Sequence, residues 1–301
     1  MRNSIPLFCA TAGILGALCL PANAALIAYE GFSYAPGSSL VGQSGGVGFQ
    51  NAWWSTGAIA SNRVDYPGTS YAGTSSHGGK LYAIGVGSGS LVAYRDLATT
   101  VGTDGTTAWL SVMAVRTGGK SSTNGVGGGA TYVRAMNMAL FEAPTPGSTS
   151  SQSERLSPGE GTRDTAATRP DTDCWQLLVG GSAANAATVT TTAPVDVLSL
   201  LLLRIDYGVG NADRAYMWVN PSLAAEPNIA DAAATTTGNF TFNRLRPFAG
   251  NPNTSSQNIA AEGYFDEIRI GTGWMDVIPE PSALAILSLG LVGLCFRRSR
   301  P

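Results

Sequence analysis

Short apolar stretches separated by turn residues restrict the fold of this chain more than any other feature. Ten such stretches are rich in aliphatic, β-branched and aromatic side chains, and glycine, serine, asparagine and proline lie between them. They are Leu26–Phe32, Lys80–Val86, Leu91–Leu97, Thr107–Arg116, Tyr132–Phe141, Trp175–Val179, Val195–Asp206, Arg214–Asn220, Phe240–Pro247 and Gly263–Ile270. No amphipathic helical pattern competes with them, so the sequence predicts an all-β fold of two packed sheets.

Two of these stretches indicate where their strands lie. Within Trp109–Val115 one face carries Trp109, Ser111, Met113 and Val115 and the other carries Leu110, Val112 and Ala114, so both faces of this strand are expected to be covered. Leu198–Ile205 is an apolar run that is compatible with a buried helix, but the turn at Gly208–Asn211 favours a central strand in a hairpin. By composition, Ser121–Ala130 and Pro144–Pro170 are expected to be loops.

The charge balance limits the partners. Lysine and arginine number 18, aspartate and glutamate number 20, and charged residues make up only 13% of the chain. Nucleic-acid binding needs a basic footprint that neutralises phosphates, so no nucleic-acid partner is expected.

The amino-terminal segment has the parts of a secretory signal peptide. Arg2 supplies a positive charge, Ile5–Leu20 is apolar, and Ala22-Asn23-Ala24 offers small residues before a cleavage site. Residues 1–24 are therefore interpreted as a signal helix that signal peptidase removes, which leaves Ala25 as the first mature residue. The alternative is a retained membrane helix, for which the apolar segment is short. The folded domain is predicted to span residues 25–277.

The carboxyl-terminal segment, residues 278–301, has three successive parts. Pro279-Glu280-Pro281 is an extended, exposed tripeptide, Ser282–Phe296 is apolar, and Arg297–Arg300 is basic. As a helix, the apolar part would be about 22 Å long, against a bilayer core of about 30 Å. The arginines would hold their end in the cytoplasm. This predicts a short transmembrane helix.

Together these three parts resemble the PEP-CTERM sorting signal of Gram-negative bacteria. The resemblance implies recognition by an exosortase, processing near Pro279-Glu280-Pro281, and release or transfer to the cell surface from a membrane-anchored intermediate. It also implies an association with exopolysaccharide and biofilm. The alternative is an ordinary single-pass tail anchor, so transient and permanent anchoring both remain open.

The body resembles the concanavalin A-like, laminin-G-like jelly-roll family. The residues that carry this resemblance are Ala28–Tyr34, Trp53-Trp54, Tyr216–Pro221 and Tyr264–Gly271. It implies a β-sandwich in which the first and last strands lie side by side. It also implies binding of glycans, proteins or calcium, with glycan cleavage in some members.

The patterns that would indicate catalysis are missing from the sequence. No strand carries an acidic triplet at alternate positions, and the adjacent Asp266 and Glu267 should point to opposite faces of a regular strand. Asp266 is instead expected to fix a loop or a backbone donor. A single histidine, His77, cannot form a zinc site of usual type with the one body cysteine. No cofactor is expected, although Asp171 and Asp173 could contribute to a calcium site.

Aromatic residues remain the best indication of a ligand. Trp53 and Trp54 are the candidate glycan contacts, with one ring expected to pack inward and the other to be exposed. We therefore expect a non-enzymatic cell-surface or extracellular-matrix protein that binds exopolysaccharide. The alternatives are a glycan-active hydrolase or lyase on a jelly-roll scaffold and a purely structural adhesin.

Overall fold

Two antiparallel sheets form the body of this protein. The computed structural model describes residues 25–57, 62–72, 74–75, 78–85, 90–118, 132–161, 163–164, 173–181, 187–250 and 258–279. The strands in chain order are β1 (Leu26–Glu30), β2 (Arg63–Asp65), β3 (Ser70–Tyr71), β4 (Thr74–Ser75), β5 (Lys80–Ile84), β6 (Leu91–Val92), β7 (Arg95–Val101), β8 (Thr107–Gly118), β9 (Tyr132–Val133), β10 (Met136–Glu142), β11 (Ser153–Glu160), β12 (Arg163–Asp164), β13 (Cys174–Val179), β14 (Val189–Pro194), β15 (Ser199–Asp206), β16 (Asp213–Val219), β17 (Ala234–Gly238), β18 (Phe242–Ala249), β19 (Asn258–Ile259) and β20 (Glu262–Gly271). Two short 3₁₀ helices span Ile229–Asp231 and Trp274–Asp276.

The first large sheet has eight strands in the order β17-β16-β15-β8-β20-β5-β2, and β1 also pairs with β20. The prediction for Thr107–Arg116 is confirmed, because β8 lies between β15 and β20 and is buried on both faces. The hairpin prediction is confirmed as well, since β15 pairs with β16 along its length. The pairing of β1 with β20 places the first and last large-sheet strands side by side, as the jelly-roll resemblance implied.

The second large sheet has seven strands in the order β14-β13-β11-β10-β18-β6, with β7 also on β18. Alternate residues of both sheets meet in one continuous core, as an all-β sandwich requires. From the first sheet, Val112 and Leu203 enter this core; Met138 and Leu245 enter it from the second. The predicted all-β sandwich is therefore confirmed.

All ten predicted strands are present, and two of them are divided. Leu91–Leu97 contributes to β6 and β7, and Tyr132–Phe141 contributes to β9 and β10. The prediction of a loop over Pro144–Pro170 is wrong for part of its length, because Ser153–Glu160 forms β11 inside the second sheet. This strand was not predicted because its sequence is polar. Leu156 is the one residue of β11 in the main core, and hydrogen bonds to β10 and β13 hold the backbone of β11 in the sheet.

The regular alternation assumed for Asp266 and Glu267 does not hold. The register of β20 against β8 shifts between Asp266 and Arg269, and Glu267 has a positive φ of 48°. Phe265 and Ile268 both enter the core, so two residues separate successive core positions where a regular strand has one. This is a β-bulge, which a pattern of period two cannot represent.

The predicted terminal helices lie outside the described residues, since residues 1–24 and 280–301 are not among them. Within the described part of the chain, no helix is long and apolar enough to cross a membrane.

Candidate functional site

Trp53 offers no ring face to a ligand. It is 1% exposed, packs in the main core, and its Nε1 donates to Glu30 Oε2 at 2.9 Å. The same carboxylate accepts from the Phe32 backbone N–H at 2.8 Å and from the Tyr34 hydroxyl at 2.5 Å. Trp53 is therefore a core residue, and the prediction that it contacts glycan does not agree with its burial.

Trp54 is partly exposed but already engaged. Its ring stacks on Tyr94 with centroids 4.8 Å apart, and the Arg244 guanidinium lies 4.9 Å from its ring centroid. Its Nε1 donates to Asp96 Oδ2 at 3.1 Å. As predicted, one tryptophan of the pair packs inward and the other reaches the surface, but the exposed one is part of an aromatic–arginine cluster.

Arg244 organises the loop next to Trp54. The side chain is fully buried and donates from Nε to Asp96, from Nη1 to Ser148 O at 2.6 Å, and from Nη2 to Thr145 O at 2.9 Å. Its Nη1 also donates to Gln152 Oε1 at 2.7 Å. These contacts fasten the 143–152 loop to the second sheet, although the loop is polar and contributes little to the core.

Among the aromatic pairs of the described residues, the one whose two rings are both partly exposed lies on the other sheet. Tyr82 on β5 pairs with Tyr264 on β20, and their ring centroids are 5.4 Å apart at an angle of 48°. Both rings are partly exposed, because neighbours such as Leu81 and Phe265 take the core-facing positions. We call this surface the tyrosine face; its members are Arg63, Asp65, Lys80, Tyr82, Glu262 and Tyr264.

Two cations and two carboxylates frame the two rings. The Arg63 guanidinium lies 4.2 Å from the Tyr82 centroid, and the Lys80 ammonium lies 4.7 Å from the Tyr264 centroid. The Tyr82 hydroxyl donates to Glu262 Oε1 at 2.7 Å. Burial and then the Glu262 carboxylate raise the pKa of Tyr82 to about 12, so this phenol stays protonated at neutral pH. The tyrosine face thus combines ring surface with charged hydrogen-bonding groups of balanced sign.

Sequence reasoning missed Tyr264, although a signal for it was present. Lys80, Tyr82 and Ile84 alternate with core residues along β5, and Glu262 and Tyr264 do so along β20. Alternation identifies which side chains leave the core. It does not show that β5 and β20 are neighbours.

Six carboxylates are buried in the described residues, and each has a donor. They are Glu30, Asp96, Glu160, Asp213, Asp266 and Glu267. Glu160 is paired with Arg116, and Asp213 accepts from the backbone N–H groups of Gly208 and Phe240. Glu267 accepts from the Tyr29 hydroxyl and from Arg269. These acids therefore hold the structure together.

Asp266 fixes a loop, as predicted. Its Oδ2 accepts from the Thr69 backbone N–H at 2.7 Å and from the Thr69 hydroxyl at 2.9 Å, which fastens the segment after β2 to β20. Burial raises the pKa of Asp266 to about 7, even though the N–H donors of Thr69 and Glu267 favour its charged form.

Two surface cavities lie away from the tyrosine face. One of about 380 Å³ is lined by Trp218, Pro221, Glu226 and Asn228, among others. The other, of about 530 Å³, contains Glu142, which is already paired with Arg155. Glu226 and Asp231 both line the first cavity, and Glu226 is already paired with Arg204 at 3.1 Å.

The remaining predicted site residues can be placed only in part. Ala25 is exposed at the start of the described chain. Pro279 is buried at its end, so the prediction of an exposed tripeptide is wrong for its first residue. Ala22, Ala24, Glu280, Pro281, His77 and Asp171 lie outside the described residues. Among the described side chains, no group of three metal-ligating residues comes together.

Solved structures similar to this chain include an endo-β-1,4-glucuronan lyase from the fungus Trichoderma reesei. It is 14% identical, covers 78% of this chain and 97% of its own, and has a TM-score of 0.41. A lectin from Bauhinia forficata in complex with GalNAc is 9% identical, covers 66% and 89%, and has a TM-score of 0.37. A GH131 β-glucanase catalytic domain from Podospora anserina is 13% identical, covers 66% and 73%, and has a TM-score of 0.35. At these values none of the three assigns an activity.

No curated protein sequence matches this chain. One family model does match, over residues 277–299, and its description is "PEP-CTERM protein-sorting motif". This range includes the tripeptide, the apolar segment and most of the basic end from which the signal was predicted. The chain therefore carries a PEP-CTERM protein-sorting motif, and the first residues of that motif belong to its folded body.

Proposed function

We propose that this protein is exported, processed by an exosortase and displayed on the cell surface or in the extracellular matrix, where it binds an uncharged polysaccharide without cleaving it. The sorting motif at residues 277–299 supports the first part. A signal peptide over residues 1–24, removed before Ala25, would bring the chain to the compartment where that motif is used.

The pairing of Tyr82 with Tyr264 carries the binding proposal. Sugars present C–H surfaces that pack on aromatic rings, and their hydroxyls need hydrogen-bond partners at the rim of the contact. Tyr82 and Tyr264, whose ring centroids are 5.4 Å apart, provide partly exposed ring surface for the sugar C–H groups. The charged residues of the tyrosine face provide hydrogen-bond partners for the hydroxyls.

The charge of this surface favours a neutral ligand. Arg63 and Lys80 contribute two positive charges, and Asp65 and Glu262 contribute two negative ones, so the formal sum is zero. Arg63 and Asp65 are also paired with each other at 2.7 Å. A polyanion would need a surplus of cations, whereas a neutral polyhydroxyl chain can use donors and acceptors alike.

The engagement of the buried carboxylates supports a role without catalysis. Glycoside cleavage uses two carboxyl groups on opposite sides of the scissile bond, and both must reach substrate. The buried acids of the described chain are instead held by arginines, backbone N–H groups or hydroxyls.

Affinity electrophoresis in gels that contain laminarin, galactomannan or alginate tests the binding. We expect retardation by a neutral polysaccharide and a dissociation constant weakened roughly 5- to 150-fold in the Tyr82→Ala/Tyr264→Ala variant, if each ring–sugar contact contributes about as much as an aromatic pair, about 0.5–1.5 kcal/mol. The matched variant is Trp54→Ala, which removes the partly exposed ring on the opposite sheet and should leave retardation unchanged.

The other outcomes are equally informative. Loss of binding in the Trp54→Ala variant alone would move the site to the second sheet. Preference for alginate would contradict a neutral ligand, and no retardation by any polysaccharide would favour a purely structural matrix protein. Release of new reducing ends or unsaturated products from these polymers would refute a role without catalysis.

A further inference from the structure

The chain leading into the sorting motif lies across the outer side of the eight-stranded sheet. There Trp109, Leu202, Tyr216, Trp218, Trp274 and Val277 form a second buried cluster, which we call the tryptophan cluster. Trp109 stacks on Trp218 with centroids 5.8 Å apart, and Trp274 meets Trp109 edge to face, also at 5.8 Å. Two members of the cluster, Trp274 and Val277, thus come from the segment that precedes the tripeptide.

A buried serine anchors that segment. Ser111 is fully buried in the middle of β8, and its hydroxyl donates to the Val277 carbonyl oxygen at 2.6 Å. Val277 is itself fully buried, and Ile278 packs against the tryptophan cluster. A hydroxyl on a covered strand needs a partner, and the segment supplies it.

A local turn fits the segment closely to the sheet. The Asp276 carboxylate accepts from the Gly273 backbone N–H at 2.9 Å, and the Val277 N–H donates to the Trp274 carbonyl oxygen at 3.2 Å. A Cβ on Gly271 would lie 2.3 Å from the Asp276 Cβ, so strand and turn approach as closely as a glycine allows. We call Trp274–Pro279 the docked segment.

The docked segment and the sorting motif overlap. The motif begins at residue 277, and Pro279, the first residue of its tripeptide, is buried. No linker therefore separates the folded body from the tripeptide. Enzymes that cut or transfer a peptide chain act on exposed, extended segments whose backbone is free of other contacts. On the amino-terminal side of the tripeptide the docked segment is turned and hydrogen-bonded, and although Met275 is 72% exposed, Trp274 and Val277 are buried.

We propose that the folded body controls its own processing: Trp274–Pro279 has to leave the tryptophan cluster before an exosortase can act at the tripeptide. This proposal rests on the exosortase step of the proposed function. The tryptophan cluster is then an intramolecular docking site whose occupancy decides how fast the membrane-anchored form is converted.

The test compares two serine variants of the full chain expressed with its exosortase. Ser111→Ala removes the hydrogen bond to Val277 and little else. Ser199→Ala is the matched control, because Ser199 is also buried and donates to a backbone carbonyl at 2.9 Å, that of Val197 in the turn before β15. Pulse-chase labelling should show at least threefold faster conversion for Ser111→Ala and an unchanged rate for Ser199→Ala.

A second measurement separates occlusion from the enzyme. The full chain is purified in detergent and treated briefly with a protease of broad specificity, and cleavage within residues 274–281 is followed by mass spectrometry. We expect faster cleavage there for Ser111→Ala and, if its sandwich remains folded by circular dichroism, for Trp274→Ala.

Equal or slower cleavage of Ser111→Ala, by either the exosortase or the protease, would overturn the proposal. If wild type is never converted by the exosortase, the proposed function fails instead, and the protease comparison still decides whether the segment is occluded.

Discussion

Replacing Arg244 with methionine should be among the most destabilising single changes in this protein. The guanidinium has no exposed surface and the side chain of Asp96 is 3% exposed, so both charges of the pair are out of water. Methionine keeps much of the packing volume but removes all donors. Asp96 and the carbonyl oxygens of Thr145 and Ser148 then each lose their donor from Arg244.

The expected loss is about 3–5 kcal/mol in the free energy of unfolding, the range for a buried ion pair that loses one partner. In a domain of this size, each kcal/mol lowers the melting temperature by about 2–4 °C. The midpoint should therefore fall by roughly 6–20 °C. Amides of the 143–152 loop should also exchange with solvent faster, because this loop depends on Arg244.

A matched control is the pair of Arg155 with Glu142. Here the side chains are 27% and 40% exposed, so solvent screens the charges and Arg155→Met should cost no more than about 1 kcal/mol. Urea unfolding of both variants, together with hydrogen exchange, measures the difference. If Arg244→Met costs no more than Arg155→Met, burial of the Arg244–Asp96 pair adds nothing to stability beyond that of a surface ion pair.

Two further changes have defined outcomes. Because the pKa of Asp266 is about 7 in the folded state and about 3.9 in the unfolded chain, the native state holds a proton that the unfolded chain gives up, and stability falls as pH rises from about 4 to 7. Asp266→Asn should remove that slope, up to about 1.4 kcal/mol per pH unit, in urea titrations at several pH values; an unchanged slope would contradict the raised pKa. Gly48→Ala should cost clearly more than Gly37→Ala in thermal unfolding, and equal losses would count against crowding. Both glycines have a positive φ, but only at Gly48 would a Cβ meet backbone, 1.9 Å from the Ile27 carbonyl oxygen.

Apolar patterning along the chain was enough to find most of the strands that make the core, but not β11, β14 and β17. Trp109–Val115 and Leu198–Ile205 can be recognised as strands from their sequence alone, because a strand buried on both faces is a nearly continuous apolar run. Ser153–Glu160 was missed because backbone hydrogen bonds to β10 and β13 hold it in the sheet. Backbone hydrogen bonds do not depend on side-chain type, so they leave no hydrophobic pattern in the sequence.

The candidate site shows the same division. Two adjacent tryptophans in the sequence suggested Trp53 and Trp54 as ligand contacts. The Trp53 indole is instead buried and donates a hydrogen bond to the Glu30 carboxylate. Residues next to Trp53 in the sequence do not predict that hydrogen bond. The rings that do share a surface, Tyr82 and Tyr264, belong to the two predicted strands at Lys80–Val86 and Gly263–Ile270. Their pairing depends on which strands are neighbours.

Sequence alone determined the sorting motif and the all-β class, because both depend on residues that are close together in the chain. The motif consists of three successive short segments, and the all-β class follows from short apolar stretches with turn residues between them. Tertiary structure alone decided which ring faces water, which carboxylate has a raised pKa, and that Val277 lies against the body. Those properties arise between residues far apart in the chain, such as Ser111 and Val277, and contact at that distance follows from strand order.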